Sequence, residues 1–116
     1  MKKPDELIEN LIEDSIKLED ATHLGKSSLM NKQYEYIKKT ENELRNYGED
    51  AVQRVIKLLN HENNYVKYNA AFFIAPIYLD EARRVFTEIS QLRGSIGFNE
   101  MMTLREWDNG NLKFNN

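Results

Sequence analysis

A chain of 116 residues has enough apolar side chains for one core and too few for two, so a single domain over residues 1–116 is expected. With 41% hydrophobic and 30% charged residues the balance is globular, and the absence of cysteine excludes disulfides, thiolate metal sites and cysteine nucleophiles together. The net charge of −3 has the wrong sign for a surface that neutralises phosphates, which argues against a nucleic-acid partner.

The start Met1-Lys2-Lys3 passes directly into Pro4-Asp5-Glu6, and acidic residues interrupt every later apolar run. Neither a signal peptide nor a membrane span is therefore expected, and the expected location is the cytoplasm. A first helix is predicted from Pro4 to Leu24: proline suits the first turn, Asp5 and Glu6 favour the positive end of the dipole, and Gly25 can terminate it. Its apolar stripe is Leu7, Ile8, Leu11, Ile12, Ile16 and Leu18. The opposite face carries Glu9, Glu13 and most of the acidic charge.

A second helix is predicted from Ser27 or Ser28 to Tyr47-Gly48, with Leu29, Met30, Tyr34, Ile37 and Leu44 inward. It is thinly apolar and therefore peripheral. The third begins with Glu49 and Asp50, carries Val52, Val55, Ile56 and Leu59, and ends at Asn60-His61. After the polar turn 60–64, the fourth is apolar on nearly every side from Tyr65 to Ile77, the pattern of a helix packed between neighbours, with Pro76 forcing a kink or an exit.

Asp80 is read as the cap of a fifth helix, whose inward residues are Ala82, Val85, Phe86, Ile89 and Leu92 and whose stop is Gly94. A sixth spans about Phe98 to Trp107 and closes on Asp108-Asn109-Gly110-Asn111. Leu112-Lys113-Phe114 should pack back as a cap on it. No useful strand-like alternation occurs. The expected class is all-α, with three helical hairpins pairing the six helices in order.

Within this frame, residues 51–76 resemble a HEAT repeat. Leu58-Leu59, then Val66-Lys67, then Ala70-Ala71 follow the order of a leucine pair closing the first helix, a valine with a basic residue, and an alanine pair in the second. Small alanines let two helices approach closely, while Val66 and Ile74 fill the space on either side. The resemblance implies a short HEAT-like or armadillo-like α-α superhelix. The whole chain, including Met101 to Arg105 and Asp108-Asn109-Gly110, also looks like a small bacterial family of HEAT-like proteins, some of which resemble immunity proteins of polymorphic toxin and contact-dependent growth inhibition systems. No family motif with assigned roles is carried over.

The residues show little chemistry of their own. Glu19 and His23 share a helix face, but no further ligand pair at suitable spacing completes a metal site. Glu9 and Glu13 read as a solvated acidic face, and there is no phosphate loop, nucleophile elbow or EF-hand spacing. No catalytic residue, metal or cofactor is expected.

Tyr65, Tyr68 and Phe72 form an aromatic stripe. Its first reading is core packing; its second is a set of anchors on the concave surface that the second helices of such arrays line. Tyr36, two positions from an inward Tyr34, should point away from the core. The candidate partner-binding residues are therefore Glu9, Glu13, Tyr36, Tyr65 and Tyr68. The expected function is toxin neutralisation by protein–protein contact with a cognate, nuclease-type toxin domain, with a HEAT-like adaptor role as the alternative.

Overall fold

The structure, a computed structural model, describes residues 2–110. Its elements are α1 (Pro4–Leu24), α2 (Ser27–Arg45), α3 (Glu49–Ile56) continued by a 3-10 turn (Lys57–Asn60), α4 (Asn64–Ile74), α5 (Leu79–Ser90) and α6 (Ser95–Asp108). Among the described residues there is no strand. The cap expected from Leu112-Lys113-Phe114, with the last residue of the closing turn, lies outside them.

The local signals act as their chemistry dictates. Pro4 occupies the first turn of α1, and Gly25 ends the helix at φ 67. There the Gly25 amide donates to the Thr22 carbonyl and the Lys26 amide to that of Ala21, the bond pattern of a left-handed helix stop. The Asn63 side chain accepts from the amides of Tyr65 and Val66, which caps α4.

Several boundaries differ from the sequence expectation, and α2 ends at Arg45, before the expected Tyr47-Gly48. α4 stops at Ile74, two residues before Pro76, so Ile77 lies in the following turn and is 51% exposed. α5 begins at Leu79, with Tyr78 at the cap position and Asp80 inside the first turn, where its charge serves the dipole. Gly94 opens α6 instead of closing α5, which has already ended at Ser90.

Each expected hairpin is a packed pair: α1 with α2, α3 with α4, and α5 with α6. α4 also packs against α1 and α5, and so lies at the centre. Val66, Ala70, Ala71 and Ile74 are fully buried there. On α1 the buried positions are Leu7, Leu11, Ser15, Leu18 and Ala21, while Ile16 turns outward. Ser15 is tolerated inside because its hydroxyl donates to the Leu11 carbonyl (2.6 Å) and accepts from Asn69 Nδ2 (2.9 Å), so the two buried polar side chains satisfy one another across α1 and α4.

Ala70→Leu is expected to destabilise the fold by roughly 1–3 kcal/mol, because it forces a larger side chain into a fully buried position on the central helix. Glu13→Ala, on the exposed face of α1, should change stability by less than about 0.5 kcal/mol. Urea titration of both variants checks the assignment of faces, and a reversed ranking would refute it.

Candidate functional site

α1 packs against both α2 and α4. Between α2 and α4 a groove of about 280 Å³ opens, lined by Tyr34, Ile37, Lys38 and Glu41 from α2 and by Tyr68, Asn69 and Phe72 from α4. The spacing of the α2 residues places them on one helical face, and the α4 residues likewise share one face. Ile37 and Asn69 are buried. From there an aromatic chain runs toward α6: Tyr68 meets Phe72 edge-on at 4.8 Å, Phe72 meets Phe86 at 5.0 Å, and Phe86 meets Trp107 at 6.0 Å.

Two carboxyls border this aromatic floor. Glu41 is half-buried in the groove wall and makes no hydrogen bond or ion pair among the described residues. Burial pushes its pKa up to about 7, although Arg45 and Lys38 on the same helix pull the other way. Neither cation pairs with it. Arg45 lies over the Phe73 ring at 4.4 Å and donates to the Phe73 carbonyl, and Lys38 is exposed.

Glu100 stands on the inward face of α6 with Ile96, Leu104 and Trp107, at positions three or four residues apart. It is 0% exposed, neither carboxyl oxygen has a hydrogen-bond partner among the described residues, and burial raises its pKa to about 8. Its charge acts on Tyr68, whose hydroxyl is held protonated far above the usual range. Burial is the larger cause and Glu100 the next, while a hydrogen bond with Thr103 partly opposes them.

The five residues singled out in the sequence are dispersed. Tyr68 lines the groove. Tyr65 is only 7% exposed and burial raises its pKa, so it belongs to the core and offers no exposed anchor. Tyr36 is 44% exposed and meets Glu13 in a second, more polar hollow of about 320 Å³ between α1 and α2. Glu9 lies exposed on α1 outside both hollows.

Tyr34, expected inward, is 44% exposed and forms the lip of the groove, since α2 packs chiefly on α1 and its apolar stripe has no second helix to cover it. Glu41 and Glu100 were absent from the sequence reading. The signal for Glu100 is its place in the helical series 96, 100, 104, 107, where an apolar residue would be usual. Glu19 spends one carboxylate oxygen on Asn63 Nδ2 at 3.0 Å, and among the described residues no three acidic or histidine side chains converge to hold a metal. No helix there is long and apolar enough to cross a membrane.

Residues 5–108 match the family described as "Domain of unknown function (DUF2019)". Among solved structures, the chain is similar to the crystal structure of the protein RPA1889 from Rhodopseudomonas palustris CGA009, with a TM-score of 0.88 and 18% identity over 97% of this chain and 94% of that one. At that identity the likeness shows the fold alone. No curated protein matches the chain.

Proposed function

The chain belongs to the DUF2019 family, and we propose that this all-helical domain works by binding a protein partner through the face that α2 and α4 share. The observation that carries the reading is the groove: an aromatic floor with Glu41 in its wall, a half-buried carboxyl that makes no hydrogen bond or ion pair among the described residues. Partner hot spots favour such recesses, where rings and a few polar groups can be fully desolvated on contact. A protein suits the surface better than nucleic acid, because the exposed charge of α1 is predominantly acidic.

The finer reading is an immunity protein that covers the working surface of a cognate, nuclease-type toxin and needs no chemistry of its own. It is supported by the HEAT-like order of residues 51–76, with Ala70 and Ala71 fully buried in the crossing, and by the acidic α1, which suits a basic partner. A HEAT-like adaptor of some other complex is the second reading, favoured by the same groove.

Co-expression with a toxin domain encoded next to this protein's gene is the test. Rescued growth together with a co-eluting complex is the result expected for immunity. Unrescued growth without a complex removes it and leaves the adaptor. In a complex that forms, Glu9→Lys with Glu13→Lys should slow association several-fold at low salt, because exposed charges steer encounter. Tyr68→Ala should instead speed dissociation at least tenfold. Stopped-flow kinetics separates the two, and unchanged dissociation for Tyr68→Ala places the contact elsewhere.

A further inference from the structure

Resting on the reading of the groove as a partner site, we propose that it receives a single cationic side chain of the partner, an arginine or lysine, seated on the Tyr34, Tyr68 and Phe72 rings against Glu41, with Glu100 behind Tyr68.

The groove's own carboxyl is an acceptor without a partner: Glu41 in the wall makes no hydrogen bond or ion pair among the described residues, and beyond Tyr68, outside the lining, Glu100 is buried with both oxygens unbonded. A carboxyl withdrawn from water without a partner destabilises the fold, and here two such groups act on one tyrosine, Tyr68. What they lack is a donor, and a positively charged one would satisfy them best.

The protein's own cations leave the place open. Arg45 is committed to Phe73, and Lys38 stands exposed at the rim without an ion pair. The faces of tyrosine and phenylalanine attract a cation within about 6 Å, more strongly once water is displaced. An anionic guest would meet the Glu41 carboxyl, with Glu100 behind Tyr68. An apolar guest would fill the groove and leave every acceptor unmatched.

The test uses the full chain, labelled with 15N, and three probes of similar size: N-acetylarginine amide, its neutral analogue N-acetylcitrulline amide, and N-acetylnorleucine amide. The arginine probe is expected to give saturable amide shifts centred on Tyr34, Glu41, Tyr68 and Asn69. Affinity for the citrulline probe should be at least tenfold weaker, and norleucine should give no saturable shift. Glu41→Gln, partly exposed and therefore compatible with folding, should weaken the arginine probe about tenfold, whereas Lys38→Ala should strengthen it by removing a like charge from the rim. Glu100→Gln should weaken it less than Glu41→Gln.

Equal binding of arginine and citrulline, an unaffected Glu41→Gln, or no saturable shift with arginine would each overturn the assignment. The outcome is separable from that of the partner reading. Loss of the arginine response with a co-eluting complex removes the cationic guest alone, whereas an arginine response with no complex removes the partner and leaves a cation site.

Discussion

Glu100→Leu is expected to stabilise the fold by roughly 3 kcal/mol at pH 7 and by about 1 kcal/mol more at pH 8 and above, with the gain disappearing below about pH 4.5. The group is fully buried, and its pKa rises from 4.5 to about 8 on folding. The folded state therefore holds the proton more tightly than the unfolded chain. Below the unfolded value both states are protonated and the group has no linkage effect. As pH climbs from about 4.5 to about 8 the unfolded chain ionises first, so stability falls throughout that window and then levels off. Leucine removes the slope.

Glu41, raised to about 7 by burial, adds a smaller decline of the same sign, reduced by its partial contact with water, and it should persist in the variant. Urea titration by circular dichroism at intervals from pH 4 to pH 9 measures both. Wild-type and variant curves that run parallel across the range would show that Glu100 is not desolvated as described.

A side chain that weakens its own fold by this amount at neutral pH stands where leucine would pack, on the inward series of α6. Groups with strongly perturbed ionisation concentrate at functional sites because function keeps what stability alone would replace. The stability gain of Glu100→Leu and the weaker arginine response expected of Glu100→Gln are thus two faces of one arrangement. The desolvation that makes the carboxyl unfavourable in the free protein is the same property that a cationic guest would use.

The sequence made the helices legible where a local signal sufficed. Pro4 and Gly25 bounded α1, and the Ala70-Ala71 pair marked the central crossing, because these residues act through backbone conformation and side-chain volume. Legibility failed where tertiary context decided. Periodicity alone placed Tyr34 inward, yet its helix has a covering neighbour along only part of its stripe. Ser15 and Asn69 look like surface residues until each is seen to complete the other's hydrogen bonding. Glu41 and Glu100 drew no reading at all, since nothing in a single sequence tells which carboxyls a later helix will cover.

Gly97→Ala is expected to destabilise the protein by roughly 1–3 kcal/mol, although propensity alone predicts the reverse. Inside an exposed helix alanine is better than glycine by about 1 kcal/mol, and Gly97 lies within α6. Here, however, the first turn of α6 folds back over the end of α5, and a Cβ at residue 97 would stand 1.8 Å from the carbonyl oxygen of Leu92 and 2.8 Å from its carbon. Backbone cannot yield as a flexible side chain can, so the start of α6 must move away. That displacement has a built-in reporter: Trp107, the only tryptophan, lies on the same helix with its ring 6.0 Å from Phe86 and Arg83 5.1 Å above it. Its emission should shift to the red in Gly97→Ala, while Asn99→Ala, exposed on the same helix, should leave both stability and emission nearly unchanged. A Gly97→Ala protein as stable as the wild type, with unshifted Trp107 emission, would mean that the two helices do not approach as closely as described. It would also undo the burial of Glu100, which depends on α6 lying against its neighbours.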